Sequence, residues 1–205
     1  KSDGTPDGTV LVKDIQPGSG SSTPQEFVRS GNVLFFTADD GASGRELWRS
    51  DGTFAGTFRV KDIRVGSDSS GPGSLTEMNG LIFLVANDGS SGPELWQSDG
   101  TEAGTSMLKE IAEESSQPPA VSVPNSFPNQ FTVVNGRAYF VAADKEHGSE
   151  LWITNGTDVG TNLVKDINSL AGASNIHELT AVGEQVFFAA HDGPGEELWV
   201  SDGTP

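Results

Sequence analysis

The chain has 205 residues, which fits a single domain, and 34% of them are hydrophobic, as in a folded protein. Its 12 lysines and arginines face 29 aspartates and glutamates, so the formal net charge is −17. A field of that sign repels nucleic-acid phosphate and anionic lipid, and no apolar run approaches the ~20 residues of a membrane helix. Cysteine is absent, which removes disulfides and thiol chemistry. We therefore expect neither nucleic-acid binding nor membrane insertion.

Two motifs recur along the whole chain at a spacing of about 50 residues, which indicates an internal repeat. The tripeptide Glu-Leu-Trp occurs four times, ending at Trp48, Trp96, Trp152 and Trp199. A second motif, Val-Lys-Asp-Ile or a close variant, begins at Val12, Val60, Leu108 and Val164. Four copies in register over the full length predict one repetitive architecture.

Each repeat is predicted to contain four short strands. The first strands cover 27–30, 75–78, 131–134 and 179–182, and hairpin turns lead to the second strands at 33–38, 81–86, 138–143 and 186–190. The third strand carries Glu-Leu-Trp. An Asp-Gly-Thr turn, or Asn-Gly-Thr in the third repeat, then leads to the Val-Lys-Asp-Ile strand. A linker rich in Gly, Ser and Pro separates the repeats.

The second strands are apolar on both faces, as in Leu34-Phe35-Phe36, which indicates a sheet covered on both sides. Small antiparallel sheets packed radially against their neighbours meet that requirement. We therefore predict an all-β fold, a four-bladed β-propeller whose four-stranded blades have ~50 residues each, as a single domain over 1–205.

The two ends of the sequence indicate how the ring closes. Val10–Ile15 repeats the fourth-strand motif, while no such strand follows Glu197–Ser201. We expect Val10–Ile15 to pair beside Glu197–Ser201 and hide both edges. The alternative is a piece of a longer array cut within the same turn. The segment 112–130 is longer than the other linkers and contains four prolines, which predicts an irregular loop.

The repeat resembles that of the bacterial ELWxxDGT-repeat family, whose unit reads ELWxSDGTxxGTxxVKDIxPG. Residues 46–57 read ELWRSDGTFAGT and precede Val60-Lys61-Asp62-Ile63, and the resemblance covers essentially the whole chain. It implies a propeller-like fold and a secreted or cell-surface location, without an established activity. The third repeat departs from the pattern, with Asn155 for the turn aspartate and Glu110 for the strand aspartate.

Two repeated sets of side chains are candidate ligand-binding residues. Tryptophan can stack on a sugar ring, although an indole also fills a core well. The residue that opens each Gly-Thr turn could bind hydroxyl groups, although an Asp or Asn there can instead bond the backbone two residues on. The candidate residues are Trp48, Trp96, Trp152, Trp199, Asp51, Asp99, Asn155 and Asp202.

Equivalent loops between the second and third strands each carry an aspartate. Carboxylates are ligands that Ca²⁺ prefers, so these loops are candidate calcium sites, with ordinary turn chemistry as the alternative. The residues are Asp40, Asp88, Asp144 and Asp192.

Two functions remain open from the sequence. The first is a non-catalytic, lectin-like recognition module that binds carbohydrate through several equivalent sites. The second is a structural scaffold or adhesive building block of a larger exported protein, with calcium as a stabilising ion. We expect no catalytic activity, because no motif of nucleophile, metal or phosphate chemistry occurs.

Overall fold

The computed structural model describes residues 1–112, 125–169 and 173–204. These residues form fifteen β-strands, and no helix occurs among them. In chain order the strands are β1 Gln25–Ser30, β2 Val33–Asp39, β3 Arg45–Ser50, β4 Phe58–Arg59, β5 Gly73–Met78, β6 Leu81–Asn87, β7 Pro93–Ser98, β8 Ser106–Lys109, β9 Asn129–Val134, β10 Arg137–Asp144, β11 Gly148–Thr154, β12 Asn162–Lys165, β13 His177–Val182, β14 Gln185–His191 and β15 Glu196–Ser201.

The strands form four separate antiparallel sheets, one for each repeat. Sheet 1 contains β1–β4, sheet 2 contains β5–β8 and sheet 3 contains β9–β12, each as a simple meander. Sheet 4 has three strands, β13-β14-β15. The predicted all-β fold of four repeated sheets is therefore confirmed.

Consecutive sheets pack face to face, and three apolar clusters lie between them. Phe35 and Leu47 of sheet 1 pack against Leu84 and Trp96 of sheet 2. The other two clusters join sheet 2 to sheet 3 and sheet 3 to sheet 4. Sheets 2 and 3 are therefore covered on both faces, as the successive apolar residues of β6 and β10 predicted.

The N-terminal segment does not complete sheet 4, so the predicted pairing of Val10–Ile15 with Glu197–Ser201 is wrong. The segment lies against sheet 1 instead. Ile15 packs on Phe36, Ala38 and Trp48, and Lys13 Nζ donates a 2.6 Å hydrogen bond to the carbonyl of Thr57. These contacts bury the outer face of sheet 1, which would otherwise expose a tryptophan.

The outer face of sheet 4 consequently stays open. Leu198 is 77% exposed, whereas its counterparts Leu47, Leu95 and Leu151 are at most 1% exposed. Val182 and Val200, on the same sheet, are also exposed.

The predicted loop at 112–130 falls largely outside the described residues, and its last two residues, Asn129 and Gln130, begin β9. Within the described ranges, no helix has the length and apolar character needed to cross a membrane.

Candidate functional site

The residue that opens each Gly-Thr turn is engaged in that turn. Asp51 Oδ1 accepts hydrogen bonds from the backbone N–H of Thr53 (2.9 Å) and from its hydroxyl (2.7 Å). The same two bonds recur in the other turns, with acceptors Asp3, Asp99, Asn155 and Asp202. The hydroxyl and N–H of Thr53 lower the pKa of Asp51. These side chains therefore close a turn, as one of the two sequence interpretations held.

The motif extends beyond the turn to a second Gly-Thr pair, because the backbone of its glycine lies against the side chain of the turn Asp or Asn. A Cβ atom on Gly56 would lie 2.1 Å from Asp51 Oδ1, and the equivalent glycines stand in the same relation to their Asp or Asn. The Thr53 hydroxyl also accepts the N–H of Gly56 at 2.9 Å. Thr57 donates its hydroxyl to the Thr53 carbonyl at 2.7 Å. The pattern Asp-Gly-Thr-x-x-Gly-Thr thus forms one hydrogen-bonded unit.

The tryptophans belong mainly to the packed interior. Trp48, Trp96 and Trp152 are 5–6% exposed, while Trp199 is half-buried. Trp96 and Trp152 pack between sheets, and Trp48 packs beneath Ile15 of the N-terminal segment. Their indole N–H groups are buried and have no hydrogen-bond partner among the described residues. Three of the four candidate stacking residues therefore have no face open to a sugar.

The glutamate of Glu-Leu-Trp forms a buried junction that the sequence reasoning missed. Glu46 is 0% exposed, and its carboxylate accepts hydrogen bonds from Ile63 N (3.2 Å), Ser70 N (3.1 Å) and Ser70 Oγ (2.6 Å). Ser70 lies in the linker to sheet 2. Glu94 and Glu150 repeat the arrangement with Ile111 and Ser126, and with Ile167 and Ser174.

Burial governs the ionisation of these glutamates. Desolvation raises the pKa values of Glu46, Glu94 and Glu150, and the serine hydroxyl and backbone N–H groups offset part of that rise. The recurring serine before each following sheet is a signal that could have revealed this junction.

The repeated lysines contact the next repeat. Lys61 Nζ donates to the carbonyl of Thr105 at 2.9 Å, and Lys109 Nζ contacts Asp158 Oδ1 at 2.9 Å. Lys61 and Lys109 therefore each link the Val-Lys-Asp-Ile motif of one repeat to the turn of the following repeat.

The carboxylates of three of the four candidate calcium residues also shape turns. Asp40 Oδ1 accepts N–H groups of Ala42 (2.9 Å) and Ser43 (2.8 Å). Asp88 and Asp144 bond the two equivalent N–H groups of their own loops, and Asp192 donates its N–H to Gly195 O at 3.3 Å. Partial burial raises the pKa of Asp40, but these N–H groups and the charge of Arg59 together outweigh it, so the pKa lies below its ordinary value.

The structure does not assemble these aspartates into a metal centre. Within residues 1–112, 125–169 and 173–204, no group of three or more His, Asp or Glu side chains is placed to hold a metal ion.

A groove lies beside the open edge of sheet 4. Val164, Lys165, Phe188, Trp199 and Asp202 are among the residues that line this groove, which has a volume of about 300 Å³. It combines an apolar floor with one cation and one carboxylate, and Trp199 is the one candidate tryptophan that reaches it.

The chain is similar to solved β-propeller proteins. Puromycin hydrolase matches with 16% identity and a TM-score of 0.55, over 88% of this chain and 27% of that one. The S511A mutant of puromycin hydrolase complexed with PGG matches with 16% identity and a TM-score of 0.53, over 86% and 26% of the two chains. A prolyl endopeptidase matches with 12% identity and a TM-score of 0.50, over 91% and 28%.

Because the identities are only 12–16%, these likenesses show the fold alone. The chain spans about a quarter of the length of the solved proteins that it matches. No family model matches the sequence. No curated protein matches it either.

Proposed function

We propose that this chain is a non-catalytic structural module of an exported or cell-surface protein, built from propeller-type blades. The observation that carries the proposal is the use of the repeated polar residues. The glutamates join consecutive repeats, the turn aspartates bond their own threonines, and the lysines donate to the turn of the next repeat. The repeated polar side chains that make these contacts therefore stabilise the array.

A repeated ligand site would need the same side chains to face solvent. Three of the four tryptophans are buried, so stacking on a sugar would require them to leave the apolar clusters. Moving a buried tryptophan into water costs several kcal/mol, about 3–5 by comparison with its removal from a core. Carbohydrate recognition by the tryptophan and turn-aspartate set is for this reason not the function that we propose.

The surface supports an extracellular role. A net charge of −17 keeps the module soluble, and the absence of cysteine makes the fold independent of the redox state of its surroundings. The resemblance to the ELWxxDGT repeats implies the same location.

A binding survey tests the proposal. The folded chain should show no saturable binding on a glycan array, with calcium or with a chelator, and no turnover of peptidase or glycosidase substrates. The thermally unfolded chain provides the background. Saturable glycan binding that is lost in Trp199→Ala, or turnover above background, would contradict the structural role.

A further inference from the structure

Sheet 4 lacks a partner strand that the other three sheets have. The Glu-Leu-Trp strands β3, β7 and β11 pair on their outer side with β4, β8 and β12, whereas β15 pairs only with β14 in the part of the chain that the structure describes. Glu197, the counterpart of the buried Glu46, is exposed. We use the term outer segment for the residues that follow the Gly-Thr turn and include the fourth strand and the Val-Lys-Asp-Ile motif. Among the described residues, sheet 4 has no outer segment, so the edge of β15, Glu197 and Leu198 are all exposed.

The N-terminal segment has the sequence of such an outer segment. Residues 9–15 read TVLVKDI, and residues 161–167, which include the outer strand of sheet 3, read TNLVKDI. Residues 9–15 form no strand in this structure, and Leu11 is 79% exposed. Leu11 has three counterparts, of which Met107 and Leu163 pack against an apolar cluster and the third is Arg59.

The groove beside β15 matches this side chain. In sheet 2, Met107 packs against a cluster that includes Val60, Ile63 and Trp96. The groove is lined by the counterparts of those three residues, Val164, Ile167 and Trp199. A leucine placed like Met107 would therefore enter the groove from the edge of β15.

We propose that residues 9–15 of a second copy of this chain pair with β15 and complete sheet 4. The inference rests on the proposed structural function and names its partner. Within one chain, Val60 N donates to Leu47 O at 2.8 Å, and the corresponding bond between copies runs from Val12 of the partner to Leu198. Lys165 then donates to the Thr9 carbonyl of the partner, as Lys13 does to Thr57 and Lys61 to Thr105.

The contact continues an interface that the chain already forms between its own repeats. Residues 12–15 are seated on sheet 1 by Lys13 and Ile15, so their pairing with β15 brings sheet 1 of the second copy onto the open face of sheet 4. The exposed Leu198 is then covered as Leu47, Leu95 and Leu151 are. Removing this apolar surface from water is the main driving force.

When residues 9–15 of one copy pair with β15 of another, the first copy's own N-terminal turn is replaced by the C-terminal turn of the other copy, which has the same sequence. Residues 2–6 and 201–205 both read SDGTP. Lys1 and Val10 exchange two backbone hydrogen bonds of 2.8 Å, and Val200 occupies the place of Lys1 in the repeat. Displacing residues 1–8 by the partner's last turn therefore preserves the number of backbone bonds. The contact is head-to-tail, so it generates a ring or an open series of copies.

Sedimentation velocity of the full chain, from low micromolar to hundreds of micromolar, tests the proposal. The wild type should associate with increasing concentration. Leu11→Asp alters the donor segment and Leu198→Asp alters the acceptor face, and each should weaken association at least about 100-fold by placing a charge in the contact. Val65→Asp, at a valine that is 87% exposed, is the matched control and should associate like the wild type.

Mixing the two interface variants gives the sharpest result. Leu11→Asp retains an intact acceptor edge and Leu198→Asp retains an intact donor segment, so an equimolar mixture should form a dimer that extends no further. Circular dichroism verifies that each variant is folded, and Val200→Asp replaces Leu198→Asp if the latter is not.

Three outcomes would overturn the proposal. They are a wild type that stays monomeric at the highest concentration, association that neither substitution weakens, and a monomer in which β15 is protected from hydrogen exchange. The last result would show closure by the chain's own N-terminal segment. Glycan binding, which would contradict the structural function, is a separate readout.

Discussion

The Ser70 hydroxyl donates a 2.6 Å hydrogen bond to the carboxylate of Glu46, 24 residues earlier in the chain. Glu46 belongs to sheet 1 and Ser70 leads into sheet 2, so the bond ties one repeat to the next. Ile63, at the end of the outer segment of sheet 1, donates its N–H to the same carboxylate. Strand, outer segment and linker therefore meet at one buried side chain.

Removing this junction should destabilise the fold. We expect Glu94→Ala to lower the free energy of unfolding by about 2–4 kcal/mol, because Ile111 N–H and the Ser126 hydroxyl would lose their acceptor in the interior. Glu94→Gln retains an acceptor oxygen and should stay within about 1 kcal/mol of the wild type. Urea unfolding measures both, with the exposed Glu102→Ala as control. Equal losses in the alanine and glutamine variants would contradict the hydrogen-bonding role.

Stability should depend on pH with a maximum on the acid side of neutrality. Burial raises the folded-state pKa of Glu46, Glu94 and Glu150 above its ordinary value of 4.5, so their contribution is full below that value and is lost as pH rises through the folded pKa. The lowered pKa values of Asp40 and Asp88 act oppositely, because their contribution is present above 3.8 and is lost as pH falls through the folded pKa.

Urea unfolding across this range tests the sign. The free energy of unfolding should increase as pH decreases from neutral towards about 5 and should decrease again below about 4. Replacing Glu46, Glu94 and Glu150 by glutamine should flatten the decline towards neutral pH and leave the acid limb unchanged. A triple variant with the wild-type profile above pH 5 would contradict the assignment to these glutamates.

The second glycine of the turn motif should tolerate no side chain. A Cβ on Gly104 would lie 2.1 Å from Asp99 Oδ1, so Gly104→Ala should cost about 1–3 kcal/mol and lower Tm by several degrees. Gly73→Ala is the matched control, because a Cβ there meets nothing within 4 Å. Thermal unfolding compares the two, and equal Tm values would show that the turn yields to the added atom.

The turn aspartate should be replaceable by asparagine but not by alanine. The third repeat already uses Asn155, whose Oδ1 accepts the N–H of Thr157 at 3.0 Å and its hydroxyl at 2.7 Å. Asp99→Asn should therefore leave Tm nearly unchanged, while Asp99→Ala loses both bonds and should lower Tm by about 2–4 °C. A glycan bound at this aspartate would instead be lost in both variants.

Divalent cations should act on this protein as general counterions. Three of the four loop aspartates bond their own turns and no cluster of ligands forms among the described residues, so CaCl₂ and MgCl₂ should raise Tm no more than NaCl of equal ionic strength. The measurement is a thermal scan in the three salts. A saturating shift specific to Ca²⁺, removed in Asp40→Asn, would establish a calcium site at that loop.

The repeats made most of the fold predictable. The doubly apolar second strands predicted sheets covered on both faces. One of the two interpretations of the turn motif was an Asp that bonds its own backbone, as Asp51 does. Such local patterns can be interpreted from the sequence because the residues that bond each other lie only a few positions apart.

The closure and the buried glutamates were harder to predict. The motif at 12–15 identifies an outer segment, but it does not state which sheet receives it, since the same residues also pack on the following sheet through Ile15. For Glu46, nothing in the repeat pattern indicates that the side chain is buried. The linker between sheets 1 and 2 buries the Glu46 carboxylate and supplies the N–H and hydroxyl of Ser70 as donors, and this contact depends on how the linker folds.

The buried Glu–Ser junctions between successive repeats are alike, and this likeness affects how the gene can change in length. Glu94 and Ser126 make between sheets 2 and 3 the bond that Glu46 and Ser70 make between sheets 1 and 2. Recombination that duplicates or removes one whole repeat leaves every remaining junction with the correct residues on both sides. A deletion of half a repeat instead brings two unlike faces together, so changes by whole repeats are the ones that selection can retain.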